Sequence, residues 1–144
     1  MRPTRPTNSA SVFKSVSSLN GMRVLVVEDE LLIRWSIVET LADAGCIVSE
    51  ARDGATAIQA LSDSDEPVDA VVLDYRLPDS NDLALLARIR QLSPGSAVVM
   101  MTAFGTPEIV QRARELGVYR VIDKPFEMHD LETMLVEACT AHPH

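Results

Sequence analysis

The sequence lacks a surplus of positive charge, a close cysteine pair and any long apolar run, and each absence removes a class of function. With 13 Lys and Arg against 21 Asp and Glu, the formal net charge is -8. No basic surface is available to neutralise phosphates, so direct nucleic-acid contact by this chain is not expected. Acidity suits cations or basic partners better. Cys46 and Cys139 lie far apart, with no CxxC and no His at ligand spacing. That pattern suggests neither a disulfide framework nor a zinc site, and it points to reduced thiols in the cytoplasm. No apolar stretch approaches the roughly 18 residues that cross a bilayer, and the start MRPTRPTNSA has no apolar centre of a secretion signal. A soluble chain without membrane insertion is expected. The string GxxxxGKS/T is absent as well, which argues against a P-loop nucleotidase.

What is present is enough for one domain: 144 residues, 47% of them hydrophobic, which suffices for a real core. Residues 1–20, rich in Ser, Thr, Pro and Asn, read as a flexible extension, residues 21–140 as the domain and residues 141–144 as a short tail. From Met22 onward, short β-branched runs alternate with longer segments of helical period: MRVLVV then ELLIRWSIVETLADAG, CIVSE then DGATAIQALS, DAVVLD then NDLALLARIRQLS. SAVVMMT then TPEIVQRARELG, and VYRVID then EMHDLETMLVEAC, complete five strand-helix units. Thr106, Pro107 and Glu108 predict an N-cap, a first-turn proline and a first-turn acid, while Gly45 and Gly117 predict helix ends. Strands 22–27, 70–73 and 97–101 are apolar almost without alternation, the pattern of a parallel sheet covered by helices on both faces. In such sheets ligands bind beyond the carboxyl ends of the strands, where strand order reverses.

Those ends carry chemistry. The first strand runs into Glu28 and Asp29, the third into Asp74, the fourth into Thr102, and the fifth into Asp123, Lys124 and Pro125. Carboxylates brought together this way repel one another, so either their pKa values rise or a cation neutralises them. Mg²⁺ suits such a set, being a hard ion that takes a few carboxylates and keeps other positions for water and a phosphate oxygen. Each residue has an ordinary explanation when taken singly. Asp74 could form a turn ahead of Pro78, Glu28 and Asp29 could cap the helix starting near Leu31, Lys124 could be a solvated surface charge, and Thr102 could cap a turn. Their convergence on one edge favours the functional reading.

VVEDE, LDYRLPD, MTA and DKPF, in this order and spacing, resemble the response-regulator receiver domain of two-component signalling, over roughly residues 22–140. The resemblance implies a flavodoxin-like fold with strand order 2-1-3-4-5. It implies that Asp74 accepts a phosphoryl group from a partner histidine as an aspartyl phosphate. Glu28, Asp29, Asp74 and the backbone carbonyl of Arg76 would hold Mg²⁺. Lys124 would pair with phosphoryl oxygens, its approach aided by a cis peptide before Pro125, and Thr102 would bond the new phosphoryl group and draw the loop Ala103-Phe104-Gly105 with it. Implied partners are a sensor histidine kinase or a histidine phosphotransfer protein. Such a protein catalyses only its own phosphorylation and dephosphorylation and is otherwise not an enzyme.

Two positions depart from the family's pattern. Asp82 stands where Gly is usual, and Val121 stands where a Tyr or Phe usually swings inward. The second departure leaves the phosphorylation chemistry untouched but removes the usual conformational read-out. Other readings fit less well. A haloacid-dehalogenase-type phosphatase needs a second Asp where Arg76 stands, and a flavodoxin-like redox module needs a phosphate loop where EDELL stands. A pseudo-receiver that only binds partners would show loss of an acidic or acceptor residue, and none is lost. Little chain follows the helix ending near Cys139, so the expectation is a stand-alone receiver or a fragment of a longer regulator. In the first helix, Ile33, Ile37, Leu41 and Ala44 form one apolar face and Leu31, Trp35, Val38 and Ala42 a second. The second face either packs on a neighbouring helix or presents Trp35 to the partner.

Overall fold

The computed structural model describes residues 19–80 and 83–141. Five strands, β1 (Arg23–Val27), β2 (Ile47–Ala51), β3 (Ala70–Asp74), β4 (Ala97–Thr102) and β5 (Arg120–Asp123), form one sheet in the order β2-β1-β3-β4-β5. Every pairing is parallel. The helices are α1 (Leu31–Asp43), α2 (Gly54–Asp63), α3 (Ala84–Leu92), α4 (Pro107–Glu115) and α5 (Met128–Ala141). This is the expected flavodoxin-like arrangement, and it places the change of winding direction between β1 and β3.

Side-chain alternation along the central strands divides the apolar residues between two cores. Leu25, Val27, Val71, Leu73, Val98 and Met100 face α2, α3 and α4, where they meet Ala57, Leu86, Ile89 and Ala113. Val24, Val26, Val72, Val99 and Met101 face α1 and α5, where Ile37, Leu41, Leu131 and Leu135 are buried. Full burial of each Leu or Ile contributes about 1.5–3 kcal/mol of transfer free energy, so both faces need their helices. The edge strand β2 is largely exposed apart from Ala51.

The helix ends follow local chemistry. Thr106 Oγ1 accepts from Ile109 N, with Pro107 opening α4 and Glu108 in its first turn. Gly45 and Gly117 take the left-handed φ values of 97° and 96° that close α1 and α4. At α1 the cap is neither Glu28 nor Asp29: Glu30 Oε2 accepts from Ile33 N at 2.7 Å. The helix end is satisfied by the third acid of the run, and the first two are left for other work.

Leu19, assigned by sequence to the extension, is 3% exposed and packs in the α1–α5 core, with its carbonyl accepting from Met22 N and Cys46 Sγ. Leu19 thus fills one end of that core upstream of Met22. Residues 1–18, 81–82 (Asp82 among them) and 142–144 lie outside the described residues. No helix among the described residues is long and apolar enough to cross a membrane.

Candidate functional site

The strand ends meet in a cleft of about 450 Å³ lined by Glu28, Asp29, Asp74, Arg76, Thr102 and Lys124 among others. Sheet hydrogen bonding brings them there. Glu28 N donates to Ala51 O at 3.0 Å just beyond β1, Tyr75 N donates to Met101 O at 2.8 Å beyond β3, and Lys124 N donates to Thr102 O at 2.8 Å beyond β5. Glu28, Asp74 and Lys124 are therefore placed by the last rungs of the ladder rather than by a free loop.

Glu28 is fully buried, Asp74 is 6% exposed and Thr102 2%, whereas Asp29 opens to solvent. Carboxylate oxygens of Glu28, Asp29 and Asp74 lie within 4.8 Å of one another. Lys124 Nζ sits between two of them, 2.6 Å from Glu28 Oε1 and 3.1 Å from Asp74 Oδ2. The other Glu28 oxygen accepts from Glu30 N at 3.0 Å, and Asp74 Oδ1 accepts from Arg76 N at 3.2 Å. Burial pushes the Glu28 carboxyl above its ordinary value; the bonds from Lys124 and Glu30 N pull the other way, but the nearby Asp74 adds to the rise. Burial would lower the Lys124 ammonium, yet its bond to Glu28 and the charge of Asp74 outweigh it and hold it above the usual lysine value. Three carboxylates less one ammonium leave two negative charges when all are ionised (3 − 1 = 2). A divalent cation carries that charge, and hard carboxylate and carbonyl oxygens are the donors Mg²⁺ takes. The donor set fits the ion.

Thr102 stands at the opposite side of the cleft floor, its Oγ1 accepting from Phe104 N at 3.2 Å. The Lys124-Pro125 peptide is cis. Gly105 is selected by space: a Cβ there would lie 2.9 Å from Asp123 Oδ1 and 3.1 Å from Thr102 Cγ2. Asp123 itself is exposed and lies outside the carboxylate cluster. Val121 is half-buried against the core under α2, α3 and α4, away from the acids.

Two supporting residues escape a reading of the sequence. Arg34 Nη1 donates to the carbonyl of Glu28 at 2.8 Å while its Nε reaches Glu50 on β2 at 3.0 Å, which fixes the main chain under the acids. Asp79 bonds the start of α2 from the loop after Asp74. Their partners are 6 to 25 residues away, and no local motif marks either one.

Residues 24–136 match the family model described as the response regulator receiver domain. The chain is 38% identical over 112 residues to the transcriptional regulatory protein PdtaR of Mycobacterium tuberculosis, an alignment covering 76% of this chain and 52% of that protein. It is 35% identical over 119 residues to the DNA-binding transcriptional regulator NtrC of Escherichia coli, covering 83% of this chain and 25% of that one. The chain therefore spans about half the length of the first relative and a quarter of the second. Among solved structures, the receiver domain of NtrX from Brucella abortus matches with a TM-score of 0.73 at 34% identity, covering 81% of this chain and 98% of that one.

Proposed function

The chain belongs to the response-regulator receiver family, and we propose that it is a phosphorylatable switch whose acceptor is Asp74. A carboxylate oxygen of Asp74 attacks the phosphorus of a phosphohistidine on a partner protein. The P–N bond breaks with its electron pair left on the imidazole, and an aspartyl phosphate forms. Glu28, Asp29, Asp74 and the Arg76 carbonyl would hold Mg²⁺, which when bound offsets the repulsion between an anionic nucleophile and an anionic donor. Lys124 already bonds Asp74 and is placed to take over a phosphoryl oxygen as charge accumulates there. Thr102 donates its hydroxyl proton to another, moving the loop that begins at Ala103. The observation that carries this reading is a buried strand-end carboxylate, bonded to a lysine, in a cluster two positive charges short of neutrality.

The partner is a histidine kinase or a histidine phosphotransfer protein in a phosphorelay, and α1 is its landing surface. Trp35, Leu31 and Leu32 are 58%, 64% and 68% exposed. Beside the cleft, an apolar groove of about 640 Å³ includes Leu32, Ile33, Pro125, Phe126 and Met128. Such a surface accepts a helix, with the aromatic side chain as an anchor. The cytoplasm, where kinases and their phosphodonors meet, is the compartment this role requires.

One experiment with two donors tests both parts. Incubation with Mg²⁺ and acetyl phosphate, followed by intact mass, should add one phosphoryl group; chelation of Mg²⁺ should prevent this and Asp74→Asn should abolish it. Trp35→Ala should slow transfer from a phosphorylated histidine protein while leaving acetyl phosphate labelling intact. Unchanged labelling of the Asn variant would move the acceptor elsewhere, and no labelling of the unaltered chain would favour a pseudo-receiver. Equal losses with both donors for Trp35→Ala would indicate a folding defect rather than docking.

A further inference from the structure

Asp79 lies in the β3–α3 loop, beyond the phosphoacceptor, and both its carboxylate oxygens bond a different element. Oδ1 accepts from Gly54 N at 2.8 Å and Oδ2 from Ala55 N at 3.0 Å. These are the first two residues of α2. The opening N–H groups of a helix have no partner within it, and the positive end of the helix dipole favours a carboxylate there. α2 has a cap of its own: Asp53 Oδ1 accepts from Thr56 N at 2.8 Å, and Thr56 Oγ1 returns a bond to the Asp53 main chain. Asp53 leaves the N–H groups of Gly54 and Ala55 to Asp79. One helix end thus carries two acidic caps, a local one and one supplied by the loop that follows Asp74.

Among the described residues, the loop has further anchors. Arg76 N bonds back to Asp74, Leu77 and Ser80 exchange backbone bonds at 2.8 and 3.2 Å, and the Leu77 side chain is buried in the core. Arg76 lies between the acceptor and these outer anchors, so the position of its carbonyl depends on where the outer half of the loop is fastened. We propose that Asp79 is a positioning residue of the cleft: it fastens the loop to the N-terminus of α2, sets the Arg76 carbonyl for the cation, and couples occupancy of the cleft to α2. This role rests on the reading of the cleft as a Mg²⁺ site. Coupling between two sites is reciprocal. A cation that orders the loop must therefore tighten the grip of Asp79 on Gly54 and Ala55.

The two caps make the test specific, since Asp53→Ala weakens the same helix end without touching the loop. Calorimetric titration of the full chain with Mg²⁺ should show roughly tenfold weaker binding in Asp79→Ala, the size typical of lost supporting contacts around a metal. Asp79→Asn, which keeps one acceptor oxygen, should show a smaller loss, and Asp53→Ala should match the unaltered chain. Amide exchange at Gly54 and Ala55 should slow on adding Mg²⁺ in the unaltered chain and in Asp53→Ala, but not in Asp79→Ala. Equal Mg²⁺ affinity in Asp79→Ala and the unaltered chain would overturn the role, as would equal losses in the two alanine variants, which would reduce Asp79 to a helix cap. If the unaltered chain does not bind Mg²⁺, the cation reading of the cleft fails and this role fails with it.

Discussion

The loops on the two sides of the cleft are held in different ways. The β1–α1 and β3–α3 loops, which carry the acids, are tied to other elements: Arg34 joins the Glu28 carbonyl to β2, and Asp79 joins the loop after Asp74 to α2. Among the described residues, the backbone of the β4–α4 loop bonds its own neighbours, Phe104 N to Thr102 Oγ1 at 3.2 Å and Thr106 N to Phe104 O at 3.1 Å. Its Phe104 is 76% exposed. Segments with few buried contacts and local bonds open most easily. Charge is assembled on the braced side, and freedom to move is kept for the side that would respond to it. This division also suits a chain in which Val121, a stiff β-branched residue, cannot swing.

Removing the base that joins the buried acids should have the largest effect on stability. Lys124→Ala leaves Glu28 and Asp74 without their ammonium. Loss of one partner of a buried pair costs about 3–5 kcal/mol, and partial exposure of Lys124 together with proton uptake by Glu28 should reduce this to about 2 kcal/mol without added cation. Denaturant unfolding at neutral pH would measure it, and an unchanged midpoint would show that the ammonium does not hold the acids. The pH dependence has a definite sign. The folded Lys124 value is raised above the ordinary 10.5, so its contribution is fully present below that value and is lost as pH rises through the folded one. The gap between the two proteins should close in that alkaline range.

Gly105→Ala probes the responsive side. Its Cβ would press on Asp123 and Thr102, at a cost of about 1 kcal/mol if the loop stays where it is. A mobile loop would absorb the methyl group, so a cost near zero would sharpen the contrast between the two sides and a cost above 3 kcal/mol would break it. Thr102→Ala should have the smallest effect on folding, below about 1 kcal/mol, because it removes one long hydrogen bond. It should still accept phosphate on Asp74 yet lose most of the amide shifts that a phosphoryl mimic induces over residues 102–108, since a ligand shifts an equilibrium only through contacts that differ between the states. If those residues stay still in the unaltered chain while distant segments respond, the loop is not the read-out.

The fold was legible because local and global signals agree. Apolar strands without alternation predict a doubly covered parallel sheet, and Thr106-Pro107-Glu108, Gly45 and Gly117 mark helix ends where they occur. The acids and Lys124 were legible because all stand at strand ends, so a correct strand assignment brings them together. What supports them was hidden. Glu30 was indistinguishable from Glu28 and Asp29 until the cap geometry separated the three. Arg34 and Asp79 act across the sheet edge on partners that only the folded chain makes neighbours. Leu19 looked like linker because its value lies in filling one end of a core that no local pattern reveals.

The division of the central strands into alternating side chains has a consequence on an evolutionary scale. Val24, Val26, Val72 and Val99 belong to the core beneath α1 and α5, and Leu25, Leu73, Val98 and Met100 to the other. Substitutions in one core touch the other only through the shared backbone, and effects at sites without common partners add. A lineage of such proteins can therefore change the residues beneath α1 and α5 and those beneath α2, α3 and α4 at different rates.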